Sequence, residues 1–334
     1  MFNNLNLLFI SMTFISTLIS ISSSSWISVW MGMEINMISF IPLMIVTKNI
    51  FSNESALKYF LIQASSSALF LMTSLLNSFF MINMTNFYMN SSIMHMMMVP
   101  LMIKLGAAPF HQWFINIIQG LSWMTSYFLM TWQKIAPIFI LTYIYNKNML
   151  IILFIIMSVF IGSIGGLSQV FLKKILAFSS VNHLGWMLSA IMISKNILYS
   201  YILFYMFTNA FVMYLFFINN INQFNQINST NFWFPLSISL FSLGGLPPFI
   251  GFLPKLLLIK NLVNNNMLIT LILVLSSLIT LFFYLRLSFK IFTLKSSTQK
   301  WINLFSHKNM CVYMYTLFLM ISSLGMLPIN MFMM

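Results

Sequence analysis

The chain has very few charged residues, almost no acidic ones, and a single cysteine. Only 5% of its 334 residues are charged, and Asp and Glu together number 2, whereas an average soluble domain carries about 25% charged residues. The lone Cys311 excludes a disulfide, a metal–thiolate motif or a haem-attachment motif formed within the chain. These absences argue against both a soluble enzyme and a disulfide-stabilised secreted domain.

Signatures of cofactor and nucleic-acid binding are absent as well. The sequence has no glycine-rich phosphate loop, no dinucleotide fingerprint and no His/Cys/carboxylate cluster for a metal. We therefore expect no nucleotide, flavin, iron–sulfur centre or metal to bind this chain. The net charge of +13 comes without an Arg/Lys-rich domain or an RNA-stacking motif, so nucleic acid is not expected as a partner. No signal or transit peptide is visible.

Long apolar runs are what the chain has in abundance. Hydrophobic residues make up 60% of the sequence, and several runs exceed the roughly 20 residues that cross a bilayer as a helix. No connection is long enough for a soluble domain, so we predict one all-α polytopic transmembrane domain. Eleven spans are predicted, at 4–22, 26–46, 56–81, 92–119, 122–145, 149–167, 173–193, 197–219, 235–263, 266–289 and 311–332.

The lysines between the spans predict an orientation. Loop lysines concentrate on the side of the N-terminus, and positive loops mark the cytoplasm-equivalent side of a membrane. An odd number of spans then places the C-terminus on the opposite side. The loop lysines on the N-terminal side are Lys48, Lys173, Lys174, Lys290, Lys295, Lys300 and Lys308, against Lys147 and Lys195 on the other.

Two spans are interrupted by glycine and proline, and they predict an inverted repeat. The fourth contains Lys104-Leu-Gly-Ala-Ala-Pro-Phe-His111, and the ninth contains Ser242-Leu-Gly-Gly-Leu-Pro-Pro-Phe-Ile-Gly-Phe-Leu-Pro-Lys255. Proline removes a backbone donor, and freed carbonyls at bilayer depth must lie inside protein or face a water-filled cavity. The two spans lie five positions apart. Because five is an odd number, two five-helix units in tandem have opposite orientations in the membrane. The predicted units are 1–147 and 148–290, followed by a loop and C-terminal helix in 291–334.

Four charged residues lie near span centres, namely Glu34, Lys104, Lys134 and Lys255. Lys104 and Lys134 are about 15 Å from either span end at 1.5 Å per residue, beyond the reach of a snorkelling lysine stem. Lys255 is nearer its span's end, so snorkelling stays open there. Intramembrane charges usually mark ion or proton pathways.

Glu34 is the deep carboxylate, and we expect it to pair with Lys104. Making and breaking one such ion pair changes how strongly the lysine holds its proton. The sequence therefore predicts a proton relay through Glu34, Lys104, Lys134 and Lys255. The alternative is a neutral Glu34 that is hydrogen-bonded for packing.

Two histidines and one Glu–Lys pair are further candidates for the relay. His183, among serines and an asparagine, is either a structural histidine or part of the relay, and His111 is a relay candidate beside the fourth-span break. Glu54 and Lys58 stand four residues apart at a span start. This spacing favours an interfacial ion pair over a relay role.

Six blocks of the sequence resemble the family of NADH dehydrogenase subunit 2, an antiporter-like membrane chain of respiratory complex I. The resemblance covers essentially the whole chain. The blocks are Trp30-Met-Gly-Met-Glu34-Ile-Asn36, Glu54-Ser-Ala-Leu-Lys58-Tyr-Phe, Lys104-Leu-Gly-Ala-Ala-Pro-Phe-His111, Thr131-Trp-Gln-Lys134-Ile-Ala-Pro137, Phe178-Ser-Ser-Val-Asn-His183-Leu-Gly-Trp186 and Ser242-Leu-Gly-Gly-Leu-Pro-Pro248. The 31 methionines are typical of a mitochondrially encoded chain.

The resemblance implies an antiporter-like fold and a set of roles. Glu34 and Lys104 resemble the family's glutamate–lysine pair, Lys134 the central lysine between two half-channels, and Lys255 the outlet lysine. The implied activity is proton translocation across the mitochondrial inner membrane, with the N-terminus on the matrix side and the C-terminus on the intermembrane-space side.

The resemblance also implies partners and a division of labour. NADH, FMN, iron–sulfur clusters and ubiquinone belong to the rest of the complex, so this chain has no redox centre although it is a subunit of a translocating NADH:ubiquinone reductase. Expected partners are neighbouring antiporter-like, small membrane and accessory subunits, and phospholipids such as cardiolipin. Two alternatives are a stand-alone cation/proton antiporter and a structural subunit that moves no protons.

Overall fold

A computed structural model of the chain describes residues 4–45, 49–82, 87–145, 149–224, 226 and 233–295. The predicted eleventh span, 311–332, lies outside these residues. Within them the structure is all-α, with one isolated antiparallel bridge between Phe171 and Gln223. The helices are α1 (Asn4–Ser22), α2 (Trp26–Met44), α3 (Ile50–Ile82), α4 (Phe87–Leu105), α5 (Gln112–Gly120), α6 (Trp123–Met130), α7 (Trp132–Ile144), α8 (Met149–Leu167), α9 (Leu172–Ile191), α10 (Lys195–Ile218), α11 (Trp233–Gly244), α12 (Phe252–Leu262) and α13 (Met267–Lys295).

Six of these helices are long and apolar enough to cross a membrane, namely α1, α2, α3, α8, α10 and α13. The predicted fourth, fifth and ninth spans are each formed by two helices, namely α4 and α5, α6 and α7, and α11 and α12. The all-α membrane class is therefore confirmed.

The third helix begins earlier than predicted. It starts at Ile50 rather than at residue 56, because Asn49 caps the first turn. The Asn49 side chain accepts a hydrogen bond from the Phe51 backbone N–H at 3.2 Å. Asparagine is among the preferred N-cap residues, so the polar residues before 56 extend the helix instead of forming a loop.

The interruptions in the fourth and ninth spans share one backbone design. Gly106 and Gly245 both adopt a positive φ, of 67° and 79°, immediately after α4 and α11. In each case the next N–H bonds back to the carbonyl five residues earlier, as from Ala107 to Met102 and from Leu246 to Phe241. This is the Schellman helix end that glycine favours. Both first half-helices therefore end inside the bundle with their last carbonyls partly satisfied.

A third interruption, in the fifth span, was not predicted. α6 ends at Met130 and α7 begins at Trp132, with Thr131 between them at φ −115° and ψ −72°. The Thr131 hydroxyl donates to the Tyr127 carbonyl at 2.7 Å. Neither glycine nor proline marks this position. The fifth span was therefore wrongly predicted as one continuous helix.

Helix α9 forms the centre of the second half of the bundle. Eighteen of its residues are buried, and it packs closely on α8 through two glycines. A Cβ on Gly162 would lie 2.5 Å from the Asn182 nitrogen, and one on Gly185 would meet the Val159 side chain. Small residues permit such close approach of membrane helices. The close packing fixes the height of Ser180 and His183 inside the bundle.

Candidate functional site

Lys104 lies at the end of α4, just before the Gly106 turn. Its side chain is buried, and its backbone carbonyl accepts a hydrogen bond from Gln63 Nε2 at 3.4 Å. The Trp113 indole N–H donates to the neighbouring Ile103 carbonyl at 3.0 Å. The interrupted helix end is thus held by side chains from α3 and α5, which keeps Lys104 in the interior rather than at a surface.

Glu34 acts on Lys104 through space and not through a contact ion pair. Its carboxylate interacts electrostatically with Lys104 and with Tyr59. Among the described residues, the ion pair within 4.0 Å joins Glu54 and Lys58, at 2.6 Å. Glu34 and Lys104 are both described, and no contact ion pair joins them in this structure, so the predicted pair is not formed here.

Lys134 follows the Thr131 interruption by three residues and points into the bundle. Its side chain is 4% exposed, and its ammonium group donates to the Ser180 carbonyl of α9 at 3.3 Å. The same ammonium lies 4.9 Å from the centre of the Phe114 ring and 5.7 Å from that of Tyr205. Aromatic faces stabilise a cation at such distances. Lys134 is therefore held between the first half of the bundle and α9.

A small polar cavity separates Lys104 from Lys134. Both lysines line it, together with polar side chains that include Gln63 and Gln133. Its volume is about 20 Å³, counted as space for the centre of a water molecule. About 10–15 Å³ on that measure accommodates one water, given polar partners. The cavity therefore has room for one or two water molecules beside both lysines.

Lys255 lies on the second half-helix of the ninth span and closes back on the first. It is 4% exposed, and its ammonium donates to the Gly244 carbonyl at 3.0 Å. That carbonyl belongs to the C-terminal end of α11, where the helix dipole favours a cation. The Trp186 ring centre lies 5.8 Å from the same nitrogen. Lys255 is therefore an interior group and does not snorkel.

His183 lies on α9, three residues after the Ser180 carbonyl that Lys134 contacts. Its ring is buried and shares a 2.8 Å hydrogen bond between Nδ1 and the Tyr201 hydroxyl. A second cavity of about 10 Å³ adjoins His183, Tyr201 and the ninth-span interruption. His183 is thus near the carbonyl that Lys134 contacts and beside the interruption that precedes Lys255.

His111 and the Glu54–Lys58 pair stand apart from this group. His111 is half-buried in the fourth-span interruption, where its Nδ1 lies 3.1 Å from the Pro109 carbonyl and its ring packs near Phe178. The Glu54 and Lys58 side chains are both more than half exposed. Their geometry matches the interfacial helix-start pair rather than a buried relay.

Sequence reasoning missed the amide and phenol groups that surround the first cavity. Gln133 Nε2 donates to Asn36 Oδ1 at 3.0 Å, and the Tyr59 hydroxyl donates to Gln133 Oε1 at 3.4 Å. The available signal was adjacency, since Asn36 is two residues from Glu34 and Gln133 directly precedes Lys134. Neutral polar residues are common in membrane helices, so adjacency alone was not specific.

The arrangement is suited to moving protons. A buried lysine exchanges its proton when its surroundings change the balance between the charged and neutral forms. Lys104 and Lys134 line one small cavity, Lys255 contacts the carbonyl that ends α11, and His183 lines a second cavity at the ninth-span interruption. Within the described residues no group of three or more His, Cys, Asp or Glu is placed to hold a metal ion.

Comparisons with known proteins assign the chain to a family. Residues 23–280 match the model described as NADH:quinone oxidoreductase/Mrp antiporter, TM. The NADH-ubiquinone oxidoreductase chain 2 of Anopheles gambiae is 43% identical over 96% of this chain and 96% of its own. That of Locusta migratoria is 37% identical over 99% and 98%.

A solved structure has the same fold. A chain of respiratory complex I from Thermus thermophilus superposes with a TM-score of 0.76 at 22% identity, over 86% of this chain and 71% of that chain. Close sequence relatives and a shared antiporter-like fold point the same way: the chain belongs to the NADH:quinone oxidoreductase/Mrp antiporter membrane family, among the NADH-ubiquinone oxidoreductase chain 2 proteins.

Proposed function

We propose that the chain is a core membrane subunit of respiratory complex I in the mitochondrial inner membrane, where it takes part in proton translocation. NADH oxidation and ubiquinone reduction occur in other subunits, and this chain contributes the proton path. The relatives' names and lengths support the assignment to the complex. The assignment of the proton path to particular residues rests on the buried lysines inside this chain.

The observation that carries the proposal is the cavity shared by Lys104 and Lys134. Two buried lysines face the same polar space, which has room for water, and Glu34 acts on Lys104 from one side. A change in the charge or distance of Glu34 alters the proton affinity of Lys104. The proton then has a short polar route to Lys134.

The second half of the path runs from Lys134 by way of His183 to Lys255. His183 is three residues along α9 from the Ser180 carbonyl that Lys134 contacts, and it lines the cavity at the ninth-span interruption. Lys255 holds the C-terminal end of α11 through the Gly244 carbonyl. We propose that its deprotonation releases that carbonyl and opens the ninth-span interruption toward the outlet.

The same proposal includes two five-helix units and an N-terminus on the matrix side. It also includes contacts with neighbouring subunits and with cardiolipin. Gly106 and Gly245 give the two interruptions one backbone design, which supports an inverted repeat. The loop lysines support the orientation. The apolar outer faces of α1 and α13 are suited to lipid or to neighbouring membrane chains.

Substitution of Lys104 by methionine tests the proposal. Methionine keeps the length and apolar stem and removes the titratable group. In the assembled complex, reconstituted in vesicles, we expect NADH oxidation to continue while the number of protons moved per electron falls. Lys260→Met is the matched control, because Lys260 is exposed on α12. An unchanged proton-to-electron ratio in assembled Lys104→Met complex would refute the relay.

A stand-alone cation/proton antiporter is the second candidate, favoured by the antiporter in the family description. A sodium site needs several oxygen ligands, often carboxylates, and Glu34 is the deep carboxylate of this chain. Pumping that requires sodium would support the antiporter function; pumping that proceeds equally in its absence would exclude it.

A further inference from the structure

The first cavity contains a fixed amide that the lysine relay itself does not explain. Gln133 lines the cavity beside Lys104 and Lys134. Its Nε2 donates to Asn36 Oδ1 at 3.0 Å, and its Oε1 accepts from the Tyr59 hydroxyl at 3.4 Å. Since Tyr59 donates its hydroxyl hydrogen to the oxygen and Asn36 receives one from the nitrogen, the orientation of the amide is determined.

The three groups come from three helices that carry different parts of the proposed path. Asn36 is on α2, two residues from Glu34, and Tyr59 is on α3, where Glu34 acts on it electrostatically. Gln133 is on α7, directly before Lys134. Asn36 and Tyr59 are both buried, at 5% and 3% exposure. The amide therefore ties the helix of the carboxylate to the helix of the central lysine.

Hydrogen-bond capacity remains on Gln133 after these two bonds. A glutamine side chain has two N–H donors and two acceptor lone pairs, and its two partners use one of each. One donor and one acceptor are left in a residue that lines the cavity. Water between Lys104 and Lys134 therefore meets an amide of fixed orientation, which orders the water's own donors and acceptors.

We propose that Gln133, held by Asn36 and Tyr59, is a positioning residue that orients the water between Lys104 and Lys134. It carries no proton itself. The proposal rests on the relay function proposed above and adds a residue set that controls its rate. A proton passes from Lys104 to Lys134 only when the intervening water accepts from one lysine and donates to the other. Water whose orientation is not fixed meets that condition less often.

Gln133→Leu tests the inference, because leucine is similar in size and removes both hydrogen-bonding groups. In the reconstituted complex we expect proton-coupled turnover to fall about tenfold, which corresponds to a barrier increase of about 1.4 kcal/mol. Asn77→Leu is the matched control. It also replaces a buried amide, at 3% exposure, on α3 and outside the cavity.

A double substitution separates a positioning role from a purely structural one. Asn36→Leu removes the acceptor that holds Gln133, so we expect it to slow proton transfer in the same direction. If the two residues act through one hydrogen bond, the Asn36→Leu/Gln133→Leu double variant is no slower than the worse single one. Additive losses would overturn the shared mechanism.

The readout is the proton-to-electron ratio together with the effect of D₂O on turnover. A structural defect lowers the assembled amount of the complex and leaves both quantities of the assembled fraction unchanged. If both quantities are unchanged in assembled Gln133→Leu complex but the proton-to-electron ratio falls in Lys104→Met, the positioning role is refuted and the relay stands. Unchanged ratios in both variants would refute the relay itself.

Discussion

The close backbone contact between α8 and α9 gives the sharpest prediction. Gly162 of α8 lies against the backbone of α9. A Cβ at this position would lie 2.5 Å from the Asn182 nitrogen and 2.9 Å from the Phe178 carbonyl oxygen. All of these neighbouring atoms are backbone, so no side-chain rotation relieves the overlap. Gly162→Ala must therefore push the two helices apart.

The size of the effect follows from the geometry. Ordinary Cβ contacts begin at about 3.4 Å, so α8 and α9 need roughly 0.9 Å more separation. A gap of 0.5–1 Å removes about a quarter to a half of the attraction between facing atoms. Overpacking of this kind costs about 1–3 kcal/mol, and alanine's better helix propensity returns up to about 1 kcal/mol. We expect a net loss of up to about 3 kcal/mol.

The same displacement should affect the site. α9 carries the Ser180 carbonyl that Lys134 contacts at 3.3 Å, close to the outer limit of a hydrogen bond. Gly162→Ala is therefore expected to lower both the thermal stability of the purified complex and its proton-to-electron ratio. Gly244→Ala is the control for thermal stability alone, because its Cβ would meet nothing nearer than the Leu281 side chain at 3.7 Å. Equal melting temperatures for the two variants would refute this reasoning.

Three further predictions test separate contacts. Glu54→Gln removes an exposed ion pair, so we expect stability to change by less than about 1 kcal/mol and pumping to stay constant; a lower proton-to-electron ratio would place Glu54 in the relay. Arg286 donates to the Leu167 and Gln169 carbonyls at the end of α8, at 2.7 and 3.4 Å. Arg286→Lys loses this two-point contact and should cost about 1 kcal/mol of thermal stability; an equal melting temperature would contradict a stabilising role for it. Tyr201→Phe removes the partner of His183 and should slow proton-coupled turnover while assembly, followed by native gel, stays normal; unchanged turnover would make His183 structural.

Much of the architecture was predictable because its causes are local. Apolar run length sets which helices cross a bilayer, and the positions of Gly106 and Gly245 set where two of them stop. Proline alone was a weaker signal, since α4 continues through Pro100 and α7 through Pro137. The decisive feature was glycine, which adopts the positive φ of the helix end without strain.

The buried lysines were also predictable, because a charge far from both span ends has few explanations. Their partners were not. The Ser180 carbonyl, which accepts the hydrogen bond from the Lys134 ammonium group, is 46 residues away in the chain, and Asn36 is 97 residues from Gln133. Such distances depend on how the helices rotate and pack, which no local pattern records.

The sequence by itself therefore determined the class of the molecule, two of its three interruptions and the depth of its charges. These follow from the transfer cost of residues and from backbone sterics, both of which act within a few neighbouring residues. Only the tertiary structure decided that Thr131 interrupts the fifth span, that Glu34 and Lys104 form no contact ion pair, and that Gln133 is bonded to Asn36 and Tyr59 at the cavity of the two lysines. These features arise where separate helices meet, and the packing of the whole bundle sets them.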